Sequence, residues 1–227
     1  MKRTLGLVLF LSGLFFGLRA QEPAPAAATP PVPRLAPAPD SSAWTIQYQY
    51  KVADPYPKTS NPIDNMVYEK MRKEHPRLVS VVTEKAGNRR KEVEHFADGS
   101  ETVIWVVDDY MVGNYRVTHI ISALNSKQAE IPFKQDFYQL DWINKAQSQG
   151  RQSYQGVSCW AYHRPPGADN DEQTAYIDAK SGLPVAIEKE DAIVVYSFTA
   201  SSDALDVPPE INREIQKLQQ SQALHGY

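Results

Sequence analysis

The run LVSVVTEKAGNRRKEVEHFADGSETVIWVV, residues 78–107, decides the fold. Two stretches of strand-forming residues, 78–84 and 89–96, flank Lys85-Ala86-Gly87-Asn88, and a second tight-turn dipeptide, Asp98-Gly99, leads into a third stretch, 101–107. Links this short join antiparallel neighbours, because a parallel neighbour needs a crossover of a dozen residues or so. In the third stretch both alternating sets are apolar, with Val103, Trp105 and Val107 on one side and Ile104 and Val106 on the other. Successive strand side chains point to opposite faces, so this stretch predicts a central strand covered on both sides.

The same logic extends outward. Upstream, Trp44, Ile46, Tyr48 and Tyr50 alternate with Thr45, Gln47, Gln49 and Lys51, the period-two signature of a half-buried strand. Asn61-Pro62 supplies an N-cap and a preset first helical residue, and Ile63, Met66, Val67 and Met71 then form one apolar helical stripe ending at His75-Pro76. Downstream, residues 115–121 predict a further strand, and 136–146, with Phe137, Leu140 and Ile143, a short helix or irregular crossover. Strands follow at 156–163, 174–178, 185–189 and 192–198, and Pro208-Pro209 opens a C-terminal helix with Ile211, Ile215 and Leu218 on one face. The expected fold is mainly β (α+β), a curved antiparallel sheet of eight or more strands with two or three accessory helices.

The 227 residues, 42% hydrophobic, fit one globular domain with extensions and exclude global disorder. Lys2 and Arg3 precede an uncharged apolar run, Leu5 to Leu18, and Arg19-Ala20 offers a cleavage point before Gln21, so residues 1–20 read as a secretory signal too short for a stable anchor. With no cysteine near the cut, lipid modification there is unavailable, and the expectation is a periplasmic or secreted protein. Residues 21–43 read as a Pro/Ala-rich linker, 44–207 as the β domain and 208–227 as the terminal helix. Three of the 24 basic residues (Lys2, Arg3, Arg19) lie in the signal, which leaves 21 against 27 acidic residues and a net charge of −6. Such a surface gives no reason to expect a nucleic-acid partner.

No catalytic string stands out. The histidines at 75, 95, 119, 163 and 225 have no metal-ligand spacing, and the one cysteine precludes a multi-cysteine zinc site. His119 reads as a core histidine, Asp108-Asp109 as a turn, and Arg89-Arg90-Lys91, followed by Glu92 and Glu94, as a solvated strand end. Cys159, flanked by Val157 and Ala161 on its strand face, reads as a packed, inert thiol. Neither a cofactor nor an enzymatic activity is expected, and a hydrolase with an unrecognised site is the weakest of three functional readings.

Gly156-Val157-Ser158-Cys159-Trp160-Ala161-Tyr162, then Ala175-Tyr176-Ile177-Asp178-Ala179-Lys180-Ser181-Gly182-Leu183-Pro184-Val185, and finally Leu205-Asp206-Val207-Pro208 resemble the C-terminal half of exported LolA-like proteins, the outer-membrane lipoprotein carrier superfamily. That resemblance implies an unclosed β-barrel wrapped around helices, with an apolar concave face that binds a lipid or acyl chain as carrier or sensor. The alternative is a structural or protein-interaction domain of the bacterial cell envelope with a filled interior. Residues nominated to line the cavity are Trp44, Ile46 and Tyr48 from one strand, Val103, Trp105 and Val107 from another, and Met66 and Met71 from the helix that plugs or lids it. Asp178 is expected to organise a turn around Gly182.

Overall fold

The computed structural model describes residues 35–114, 121–126, 135–146, 148–167, 171–201 and 204–225. The expected signal, most of the linker, His119 and all but the last residue of the strand expected at 115–121 lie outside them. In chain order the elements are β1 (Ser41–Tyr50), α1 (Pro62–Glu74), β2 (Leu78–Ala86), β3 (Arg89–Phe96), β4 (Glu101–Val107), β5 (Tyr110–Asn114), β6 (Ile121–Asn125), a 3₁₀ helix (Tyr138–Lys145), β7 (Ser148–Tyr154), β8 (Val157–Arg164), β9 (Gln173–Asp178), β10 (Pro184–Lys189), β11 (Ala192–Ala200) and α2 (Pro209–His225).

All eleven strands belong to one antiparallel sheet in the order β6-β5-β4-β3-β2-β1-β11-β10-β9-β8-β7. Its two chain-terminal strands pair with each other over nine residue pairs. The curved sheet is therefore an up-and-down barrel left open between β6 and β7, and the chain linking those two edges contains the 3₁₀ helix. β5, β6 and β7 were not expected as placed. β5 starts directly after the Asp108-Asp109 turn, where Asp108 takes φ 52°. β7 is a polar edge strand with no apolar alternation to reveal it.

Turn chemistry sets the register. Gly87 (φ 57°) with Asn88 closes the β2–β3 hairpin. The Asp178 carboxylate accepts hydrogen bonds from the backbone amides of Lys180 (2.6 Å) and Ser181 (3.0 Å), and Gly182 (φ 74°) completes the β9–β10 turn as expected.

Cross-strand partners share a face, so the pairing sorts side chains into two sets. The inner face carries Trp44, Ile46 and Tyr48 of β1, paired with Phe198, Tyr196 and Val194 of β11. It continues through Val81, Thr83 and Lys85 of β2 to Glu94, Glu92 and Arg90 of β3. The outer face carries Val103, Trp105 and Val107 of β4, then Val112 of β5 and Ala123 of β6. Each face has its own apolar cluster. Phe137, Leu140 and Ile143 fill the inner face against β1 and β8–β11, while Ile211 and Ile215 of α2 cover Trp105, Val107 and Val112 on the outer face. β4 is an interior strand buried on both sides at Trp105, Val106 and Val107, as its sequence predicts.

Two expectations need correction. Residues 35–43 are no free linker. Ala36 N–H donates to Gly182 O (2.9 Å), Ala38 is buried, and Ser41–Ala43 belong to β1. Helix α1 neither plugs nor lids the inner face among the described residues. Asn61 caps it as expected, its side chain accepting from Ile63 N–H (3.0 Å), but the helix buries no residue, and Ile63 and Met66 are 70% and 72% exposed. Arg72, bonded to Tyr56 O and paired with Asp54 (3.2 Å), ties it to the preceding loop and leaves its apolar stripe facing out.

Candidate functional site

The inner face offers the concentration of aromatic and ionisable side chains from which a site can be built. Its wall is a row from β1 and β11, and Phe137 drops into the middle of it. The Phe137 ring lies 5.4 Å from Trp44, 6.0 Å from Tyr196 and 5.9 Å from Phe198, the last two edge-on. Edge-to-face pairs contribute about 0.5–1.5 kcal/mol each beyond burial. These contacts hold Phe137 in the left-handed region, φ 56° and ψ 34°, which costs a non-glycine residue roughly 1–2 kcal/mol.

Behind Phe137 the chain winds into eight residues of 3₁₀ helix, placing Leu140 and Ile143 against the same wall. Runs longer than about 3–4 residues are uncommon in this geometry, because its hydrogen bonds are poorly aligned. The plug persists through side-chain burial, with Leu140 fully enclosed, and through Gln139 Nε2–H donating to Tyr196 Oη at 3.2 Å. Burial also pushes the Tyr196 hydroxyl pKa well above the usual tyrosine value.

Beside the plug lies a cleft of about 190 Å³, floored by Trp44, Ile46, Tyr48 and Phe137 and rimmed by Glu92, Glu94 and Lys189. Burial raises the Glu92 pKa against the pull of Arg90. Burial raises Glu94 as well, reinforced by the neighbouring Glu92 charge. Tyr48 is pushed up to about 12, chiefly by burial and then by Tyr50.

Next to this cleft, where the chain enters the plug, sits a buried ionic node. Asp136 Oδ2 accepts from Lys85 Nζ (2.7 Å) and from Ala38 N–H (3.1 Å), and Oδ1 accepts from Arg90 Nη1 (3.1 Å). The side chains are 5%, 14% and 11% exposed for Asp136, Lys85 and Arg90. A polar cavity of about 440 Å³ opens onto this node, bordered also by Arg89 and Asp108. Arg90 borders both spaces. This corrects the expectation of a solvated strand end. Arg90 falls in phase with Glu92 and Glu94 on the inward set of β3, whereas Lys91 lies on the outer face, its Nζ 5.9 Å from the Trp105 ring centroid.

The structure divides the nominated residues. Trp44, Ile46 and Tyr48 come together at the cleft. Val103, Trp105 and Val107 lie on the opposite face under α2, so the two rows do not share one surface. Met66 is exposed and Met71 half-buried on α1, away from both. Sequence reasoning missed Asp136, Lys85 and Arg90 as a unit, and only the alternation phase of β3 could have signalled that Arg90 points inward.

Elsewhere the chemistry is quiet. Cys159 is fully buried, its Sγ–H 3.5 Å from Val157 O, and burial raises its pKa. His163 contacts Thr174 and Glu172, and His95 contacts Glu101 at 2.9 Å. Among the described residues no group of three potential metal ligands forms, and no helix is long and apolar enough to cross a membrane.

No family model and no curated protein matches the sequence. Among solved structures, the crystal structure of the Mycobacterium tuberculosis lipoprotein LppX is similar at 14% identity, covering 74% of this chain and 90% of that one, with a TM-score of 0.39. At that score the likeness has no bearing on ligand or activity.

Proposed function

We propose that this is an exported, non-catalytic binding domain that takes a lipid or acyl chain on the inner face of its open sheet, in the space the plug fills. The observation that carries this reading is the cover itself. An aromatic wall of Trp44, Tyr196 and Phe198 is closed by a strained 3₁₀ segment instead of by strands or a long helix.

The cleft of about 190 Å³ falls below the roughly 300–1,000 Å³ of ordinary ligand pockets, so a chain enters only as the plug withdraws. The energetics of that exchange are close to balanced. Withdrawing Phe137, Leu140 and Ile143 forfeits about 1.5–3 kcal/mol for each side chain, and burying ten methylenes at ~0.8 kcal/mol each returns a similar amount.

A second reading, an envelope interaction domain with a filled interior, is favoured by the near-complete burial of Phe137, Leu140 and Ile143. Native mass spectrometry of protein purified from its own envelope fraction separates the two. An added mass of one aliphatic molecule supports the carrier or sensor reading, and the bare chain with a co-purifying protein supports the other. The same spectrum tests export, since the mature mass should lack residues 1–20.

A further inference from the structure

We infer that the ligand's head is a carboxylate, and that residues 136–143 are its internal stand-in. Asp136 occupies the head position on Lys85 and Arg90, and Phe137, Leu140 and Ile143 occupy the position of the chain. This rests on the inner face being an apolar-chain site and names the class of molecule that competes for it.

The node is built for a two-oxygen monoanion. One Asp136 oxygen takes Arg90 Nη1 at 3.1 Å, and the other takes Lys85 Nζ at 2.7 Å and Ala38 N–H at 3.1 Å. Two nearly buried cations thus converge on one carboxylate. Two other carboxylates close to these cations, Asp40 and Glu92, are poor substitutes. Asp40 stands 3.9 Å from Lys85 but its side chain is 88% exposed, and Glu92 stands 4.0 Å from Arg90. The raised pKa of Glu92 makes it a weaker counter-ion still.

If the plug withdraws and takes Asp136 with it, Lys85 and Arg90 lose their shared anion in a desolvated place, which is strongly unfavourable. An incoming carboxylate restores the pair, whereas a neutral or cationic head does not. Space for that exchange exists, because the polar cavity of about 440 Å³ opens onto the node and Arg90 joins it to the aromatic-floored cleft. The order along the chain, charge first and apolar groups next, is that of a fatty acid.

The test is calorimetric titration of the full chain with dodecanoate, dodecanol and dodecyltrimethylammonium. Dodecanoate should bind about 10- to 100-fold tighter than dodecanol, the range expected for hydrogen bonds to charged groups, with the cationic amphiphile weakest. Binding of all three within about twofold of one another, less than a neutral hydrogen bond contributes, overturns the head assignment and leaves the apolar-chain reading intact. Binding of none overturns both. Asp136→Asn, which weakens the stand-in, should tighten dodecanoate about tenfold, and weaker binding contradicts the inference. Should that variant fail to fold, the three-ligand series on the unaltered chain decides the matter.

Discussion

The two faces of this sheet are covered in different ways. On the outer face, α2 lays Ile211 and Ile215 over Trp105, Val107 and Val112. A 17-residue α-helix satisfies its own backbone and adds burial to a regular ladder of hydrogen bonds. On the inner face an eight-residue 3₁₀ segment does the covering, entered through a left-handed phenylalanine and fastened at one end by an ionic node. The outer cover is a wall. The inner cover is held by side chains and charge, the kind of contact that a ligand of matching chemistry can replace.

Both tryptophans on which the covers rest should matter equally to the fold. Trp44→Ala and Trp105→Ala are each expected to cost about 3–5 kcal/mol in urea denaturation, as buried aromatic truncations do. A silent Trp105→Ala would break the comparison by showing that α2 is no wall.

The next effect separates the covers. Ile215→Ala in α2 should cost about 2–5 kcal/mol. Leu140→Ala removes a more deeply buried side chain, yet its cost is capped by the free energy of plug opening and should reach about half that value or less. Equal losses would mean that the plug opens only with the whole domain.

Two smaller effects sharpen the inner face. Thr83, fully buried between Trp44 and Glu92, has a hydroxyl that makes no hydrogen bond among the described residues. Thr83→Val should therefore stabilise the domain by about 1 kcal/mol, the lower end of the penalty for an unsatisfied buried polar group. Glu92 acts through pH. A carboxyl whose pKa is higher folded than unfolded binds more protons in the folded state, so its stability contribution declines as pH rises from the usual 4.5 through the raised folded value. Glu92→Gln should match the unaltered chain in acid and exceed it in stability above that window, as followed by thermal melts across pH.

How much of this was legible in the sequence depends on what kind of signal each element leaves. β1 to β4 and β8 to β11 announce themselves by alternation and by turn residues such as Gly87 and Gly182. β7 does not, because an exposed polar edge strand has no apolar face to pattern. The docked stretch 35–40 is held by backbone bonds and one small buried alanine, which composition does not register. Trp44, Ile46 and Tyr48 could be read as one row, but their relation to Trp105 depends on the register of every hairpin in between. A shift of one residue exchanges the faces. The ionic node joins residues 46 to 98 positions apart, and nothing local marks Asp136 as the partner of Lys85, Arg90 and Ala38.

Hydrogen exchange read by mass spectrometry, on the full chain with and without dodecanoate, tests most directly whether the inner cover is a replaceable stand-in. Peptides spanning 138–146 should exchange faster when the ligand is bound, those spanning 44–48 slower, and those of α2 at an unchanged rate. Saturating dodecanoate that leaves 138–146 unchanged or slows its exchange would show the plug staying in place and contradict the replacement of the stand-in by ligand.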